Sequence, residues 1–193
     1  MAFKMVKTTM TLLAIALPLL PMSTAFAQEA HGNQAFGFRA PSISGHINAG
    51  GGAVSLSGGG AYDPATGFIH AGGSFRCIAD FPAAGTELPP LAGCKAGQGG
   101  TWIATALLPS RNFRCRGGGK TGPEPVDKTV NSDDKTVVMT VDFYLLRGRN
   151  EPVAVEGSMF VSQIDEATDA ANPGIQNVWI NRIGCGEAIA NFN

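Results

Sequence analysis

The chain is poor in charge, since only 15% of its 193 residues are Asp, Glu, Lys or Arg and its formal net charge is −1. It has no block of basic residues, so a nucleic-acid partner is disfavoured. No long segment repeats apolar residues with the 3.6-residue period of an amphipathic helix. Beyond the N-terminal region, no stretch approaches the ~18 apolar residues of a spanning helix, so no membrane span is expected.

Motifs of common catalytic and metal sites are missing as well. No two of the four cysteines form a C-x-x-C pair, which disfavours zinc, and no G-x-S-x-G nucleophile motif occurs. The run Gly117–Thr121 resembles the end of a phosphate-binding loop, but Arg114 stands where the full pattern needs glycine. We therefore expect no metal and no cofactor, name no catalytic residue, and favour a protein that is not an enzyme.

The N-terminal segment has the features of a signal peptide over residues 1–27. Lys4 and Lys7 precede an apolar run over residues 11–22, and Ala-Phe-Ala at residues 25–27 is a small-x-small cleavage site. Cleavage there would leave 166 of the 193 residues, and loss of the two lysines would lower the net charge from −1 to −3. We expect a secreted or periplasmic protein with a mobile leader over 28–34 and a single domain over 35–193.

The four cysteines, Cys77, Cys94, Cys115 and Cys185, all follow the predicted cleavage site. An even number of cysteines on an exported chain indicates two disulfides, although three pairings are possible. We favour Cys77–Cys94, which closes a Pro-rich loop, and Cys115–Cys185, which ties distant strands.

Apolar and polar residues alternate over many short segments, and 26 glycines and 12 prolines supply turns between them. The tripeptide Phe-Arg-Cys occurs at 75–77 and at 113–115, which predicts Phe and Cys on an inner face and Arg on an outer face. Trp179 and Ile183 share the parity of Cys185 and are placed inside too. The pattern predicts one all-β domain: an antiparallel barrel of about eight strands and lipocalin-like size, with a β-sandwich as the alternative.

Glycines interrupt the predicted inner face of two neighbouring strands. If Val54 and Leu56 face inwards, Gly58 and Gly60 do too, beside Gly73. Either large residues from the opposite wall fill this space, or it holds a ligand, since eight-stranded barrels can enclose one small molecule. The candidate ligand-binding residues are Tyr62, Gly73, Phe75, Met139, Phe143, Met159 and Trp179. In contrast, the parity places Asp142, Tyr144, Glu156 and His70 on the solvated face.

The residues Phe-Arg-Cys77, Gly-Cys94, Phe-Arg-Cys115 and Gly-Cys-Gly186 form a pattern that resembles a group of small secreted bacterial proteins with four cysteines and no assigned function. The resemblance covers most of the mature chain. It implies a secreted, disulfide-linked domain, and it implies no activity and no site residues.

Three functions remain open from the sequence. The first is a binding domain that takes a small apolar molecule in its interior. The second is an envelope or surface domain with a structural or protein-interaction role, whose partner the sequence does not identify. The third is a barrel-type cyclase or isomerase, which would need buried polar groups beside the apolar cavity.

Overall fold

The segments with alternating apolar and polar residues form the strands of this protein. The computed structural model describes residues 33–45, 51–83, 90–113, 128–145, 153–166 and 177–193, and every regular element in these ranges is a β-strand. The strands are β1 (Gln34–Gly45), β2 (Ala53–Asp63), β3 (Phe68–Ala79), β4 (Gly99–Leu107), β5 (Ser110–Phe113), β6 (Lys128–Asn131), β7 (Thr136–Leu145), β8 (Val153–Ser162), β9 (Val178–Ile180), β10 (Gly184–Gly186) and β11 (Ile189–Phe192). β1 begins at the last residue of the predicted leader, and the predicted signal peptide lies outside the described residues.

Eight strands close into an antiparallel barrel in the order β1–β2–β3–β4–β7–β8–β9–β10. β10 pairs back with β1, where Ser44 lies opposite Cys185. β11 is an additional strand that pairs with the first half of β1, with Phe36 opposite Phe192. The predicted antiparallel barrel of about eight strands is therefore confirmed, and the alternative of two separate packed sheets is not what forms.

The inner face of the barrel is the one that the alternation predicts for most strands. Val54, Leu56 and Tyr62 of β2 are buried, and so is every second residue of β7. On β8, Met159 and Val161 are buried within the same core. Arg76 is exposed on β3, between the buried Phe75 and Cys77, as the first Phe-Arg-Cys tripeptide predicts. Arg114 of the second tripeptide lies outside the described residues.

Trp179 does not face the barrel interior, and neither does Cys185, which lies opposite it, so the prediction that placed both inside is wrong. Val178 and Ile180 belong to the interior core, and Trp179 between them packs outside the wall against Phe160 and Phe113. The ring centroid of Trp179 lies 6.0 Å from that of Phe160 and 6.1 Å from that of Phe113. Phe113 belongs to β5, which pairs with β6 in a separate two-stranded ribbon. This ribbon covers a second, smaller core on the outer wall.

A loop held by a disulfide contributes side chains to the interior at the end of β3. Cys77 and Cys94 are bonded to each other across 17 residues, which confirms the predicted pair. Phe81 and Leu91 from this loop are buried in the barrel core, and the amide of Phe81 donates a 2.8 Å hydrogen bond to the carbonyl of Cys94. Cys185 is also disulfide-bonded. Its predicted partner, Cys115, lies outside the described residues, so that pairing stays a prediction.

Candidate functional site

The predicted ligand-binding residues other than Trp179 are brought together in the barrel, where they pack against one another. Tyr62, Phe75, Met139, Phe143 and Met159 are all buried members of one core cluster. The rings of Phe75 and Phe143 meet edge to face with centroids 5.7 Å apart, a favourable geometry for aromatic pairs. These residues therefore form the close-packed centre of the fold.

The space beside the glycines is filled by Trp102, which sequence reasoning did not place there. Trp102 on β4 lies directly opposite Gly73 on β3 and is 0% exposed. A Cβ atom on Gly73 would come within 2.7 Å of the indole Nε1, and one on Gly58 would overlap the same ring. The indole Nε1–H donates a 3.1 Å hydrogen bond to the carbonyl of Ser57. The glycines thus make room for an indole and for close approach of β2 to β3.

Further aromatic side chains pack in the barrel interior next to Trp102, and two of them belong to β1. Phe38 lies 6.0 Å from Trp102, and Phe36 lies 5.7 Å from Tyr62, measured between ring centroids. Phe192 of the last strand stacks on Phe36 at 5.8 Å. The alternation of β1 alone could have identified Phe36 and Phe38 as inward residues. The contact of Trp102 with the glycines required the pairing of β3 with β4.

Tyr62 is buried near the first residues of β1, and its hydroxyl donates a 2.7 Å hydrogen bond to the carbonyl of Asp133. Burial raises the pKa of this phenol well above its ordinary value of 10.0, and the negative charges of Asp133 and Asp134 raise it further. An acid whose pKa is raised on folding adds stability that is complete below its unfolded pKa, about 10 for tyrosine. That stability is lost as the pH rises from there towards the folded pKa.

We expect Tyr62→Phe to lower the free energy of unfolding by about 1 kcal/mol at neutral pH, because one hydrogen bond is lost. Above pH 10 the variant should lose stability less steeply than the wild-type protein, since no phenol has to stay protonated. Urea unfolding from pH 7 to pH 11 measures both effects. Tyr144→Phe, on the outer face of β7, is the control. An alkaline decline that is unchanged in Tyr62→Phe would contradict the assignment.

A groove lies on the outer face of β1, β2 and β3. It has a cavity volume of about 550 Å³ and is open to solvent. Its side chains come from Arg39 on β1, Ser55 and Ser57 on β2, and Ser74 and Arg76 on β3. They share one face because each lies next to an inward residue, as Arg39 lies between Phe38 and Ala40.

The groove is positively charged, since it is lined by two arginines and by no carboxylate. Neither Arg39 nor Arg76 forms an ion pair with any residue in the described ranges. Asp80, four residues beyond Arg76, is already engaged by the amide of Ala96 and the ammonium of Lys95, which together lower the pKa of Asp80. Both guanidinium groups are therefore available to a ligand.

Serine hydroxyls lie between the two arginines. The hydroxyls of Ser57 and Ser74 are 3.3 Å apart across the β2–β3 pair. The hydroxyl of Ser55 donates a 3.3 Å hydrogen bond to the carbonyl of Arg76. Arg39 was not identified from the sequence, although Phe38-Arg39 repeats the Phe-Arg pattern that predicts the exposure of Arg76.

Three other polar residues that the sequence placed on the outer face lie there in the structure. Asp142 on β7 lies directly opposite Glu156 on β8, on the solvated side as predicted. His70 is exposed on β3. Among the described residues, no three His, Cys, Asp or Glu side chains are placed to hold a metal ion. Within the same ranges, no helix has the length and apolar character needed to cross a membrane.

The fold and its buried disulfide define a disulfide-linked antiparallel β-barrel domain. Comparison of the chain with protein-family models, curated proteins and solved structures finds no match in any of the three.

Proposed function

We propose that this protein is an exported, disulfide-linked β-barrel that binds an acidic ligand in the outer groove and does not act as an enzyme. The observation that supports the proposal most strongly is the pair Arg39 and Arg76, which line one groove without a carboxylate partner in the described ranges. The signal-like features of residues 1–27 and the disulfide support an oxidising, extracytoplasmic location.

The packing of the interior argues against the apolar ligand that the sequence favoured. The indole of Trp102 occupies the volume that the glycines leave free. A small apolar molecule would have to displace this buried ring and break its hydrogen bond to Ser57. The cyclase or isomerase alternative needs the same cavity, so it is disfavoured for the same reason. The filled interior is consistent with the second function left open by the sequence, an envelope or surface domain with a structural or protein-interaction role. The acidic ligand in the outer groove is our addition to it, from the pair Arg39 and Arg76.

Citrate is a suitable first probe, because it is a small anion that carboxylate-binding arginines recognise. In a titration of ¹⁵N-labelled protein, we expect saturable shifts at the amides of Ser55, Ser57 and Ser74. Arg39→Gln and Arg76→Gln should each weaken binding about tenfold, equivalent to ~1.4 kcal/mol. Higher salt should weaken binding in the wild-type protein because the groove is open to screening ions.

Arg111→Gln is the matched control, since Arg111 is an exposed arginine on β5, away from the groove. It should leave citrate binding unchanged. Shifts spread over the whole surface, or equal loss of binding in all three arginine variants, would refute a specific site. Unchanged binding in both groove variants would refute it as well.

A further inference from the structure

We infer that the acidic ligand is a short oligosaccharide that carries carboxylates on its sugar rings. This inference rests on the proposed function and specifies its ligand. It follows from three properties of the groove: the width of its positive region, the chemistry between the two arginines, and the surface beside them.

The positive region is narrow. Arg39 and Arg76 lie on β1 and β3, two strands apart, which corresponds to about 10 Å across the sheet. Arg76 extends further from Arg39, since its Nη2 atom lies within 3.9 Å of a Cβ position on Gly97, beside β4. Further around the barrel, Asp142 and Glu156 make the outer face acidic. The two arginines therefore bracket the groove and match two separated negative charges.

A densely charged polyanion does not fit this pattern. Duplex DNA carries one charge per ~1.7 Å of its axis, and two arginines beside an acidic face would leave most of these charges unmatched. Carboxylates on different rings of a sugar chain supply charges with the wider spacing that Arg39 and Arg76 require.

The row of side chains between and beyond the arginines is rich in hydroxyl groups. Four residues form one row across β1, β2, β3 and β4, each directly opposite the next. They are Arg39, Ser57, Ser74 and Thr101. Each hydroxyl can both donate and accept a hydrogen bond, which suits a ligand whose own polar groups are hydroxyls. Ser74 and Thr101 are exposed to solvent, so they can exchange water for such a ligand.

The next row of the outer face carries no side chains on three of its strands. Gly37, Gly59 and Gly72 are adjacent on the same three strands and have no side chains above the sheet. Ile103 follows them on β4 with half of its side chain exposed. A sugar ring can therefore approach the backbone of β1, β2 and β3 here with its hydroxyls towards the serine row, while Ile103 separates it from Asp142 on β7.

The test compares trigalacturonate with citrate by isothermal titration calorimetry. Both probes carry three carboxylates, but only trigalacturonate has sugar rings. We expect the wild-type protein to bind trigalacturonate at least tenfold more tightly than citrate. Its fully methyl-esterified form, which keeps the hydroxyls and loses the charge, should bind at least tenfold more weakly than trigalacturonate.

Thr101→Val separates contact with the sugar from attraction to charge, because it removes a hydroxyl beyond the arginines and retains the shape of the side chain. This variant should weaken the binding of trigalacturonate severalfold and leave the affinity for citrate unchanged. Thr129 is an exposed threonine on the β5–β6 ribbon, and the control variant Thr129→Val should leave the affinity for both probes unchanged.

Each outcome decides a separate point. If trigalacturonate and citrate bind with equal affinity and Arg39→Gln abolishes binding of both, the oligosaccharide proposal is overturned. The proposal of an acidic ligand in the groove would then still stand. No binding of either probe would overturn the proposed function itself. Binding of phosphatidylglycerol vesicles through the same arginines, with no preference for trigalacturonate over citrate, would overturn the sugar in favour of a lipid headgroup.

Discussion

Replacing Trp102 by alanine is expected to lower the free energy of unfolding by about 3–5 kcal/mol, the usual cost of removing a buried aromatic side chain. The indole is fully buried opposite Gly73, which has no side chain to fill the space that the indole leaves. The substitution also removes the donor to the carbonyl of Ser57. Urea unfolding followed by circular dichroism measures the loss.

The same variant tests how the interior is used. Trp102→Ala should open an apolar cavity beside Gly58 and Gly73 that binds a fluorescent apolar probe saturably, whereas the wild-type protein should not. Trp102→Phe is the control, because it retains most of the ring volume and should lose less stability than alanine. A cost below about 1 kcal/mol for Trp102→Ala, together with probe binding by the wild-type protein, would show that the indole does not fill a packed core.

The reverse substitution, Gly73→Leu, is expected to destabilise by about 1–3 kcal/mol through overpacking. A Cβ atom at this position would already meet the carbonyl of Ser57 and, at 2.7 Å, the Nε1 of Trp102. Gly73→Leu and Trp102→Ala should therefore both destabilise the same wall, one by excess volume and the other by lost volume.

Removing the disulfide with Cys77→Ala and Cys94→Ala should lower the free energy of unfolding by about 3 kcal/mol. The bond closes 17 residues, and loops of this length lose about that much chain entropy in the unfolded state. The native state also depends on it, because Phe81 and Leu91 enter the core from this loop. Limited proteolysis should cut the loop in the double variant before it cuts the barrel strands.

The double variant is more informative than a reducing agent, since Cys185 is also disulfide-bonded and would be reduced as well. Lys95→Gln is the matched control. It removes an exposed ion pair with Asp80 beside the same loop, and we expect little change in stability. Wild-type resistance to proteolysis in the double variant would show that side-chain packing alone holds the loop.

Much of the barrel could be predicted from alternation. On β7 the inward residues Val137, Met139 and Val141 occur at every second position over ten residues, so one shift of register would move the whole set to the outer face. Long strands therefore define their own faces. The same reasoning placed Arg76 outside and Phe75 inside correctly.

Alternation did not predict the position of Trp179. β9 has only three residues, all of them buried, so alternation between buried and exposed positions gives no signal there. One side of β9 faces the barrel core and the other faces Phe113 and Phe160 beneath the β5–β6 ribbon. That ribbon forms between segments of low apolar content, and its covering of the outer wall was not visible in the sequence.

The outer groove could not be predicted from the sequence either. Alternation indicates that Arg39 and Arg76 face outwards, yet it does not bring them together. Their common groove depends on β2 lying between β1 and β3 with Ser57 opposite both Arg39 and Ser74. Strand pairing decides which exposed residues become neighbours, and this pairing is set by closure of the whole barrel.

The sequence by itself predicted the all-β class and the inner faces of β2, β3, β7 and β8, and it favoured the Cys77–Cys94 disulfide among three possible pairings, because these depend on local periodicity and on short separations along the chain. Only the tertiary structure decided that Trp102 fills the space beside the glycines, that Trp179 lies outside the wall and that two arginines share one groove. Each of these depends on the register between strands, which is a property of the closed sheet and not of any one segment.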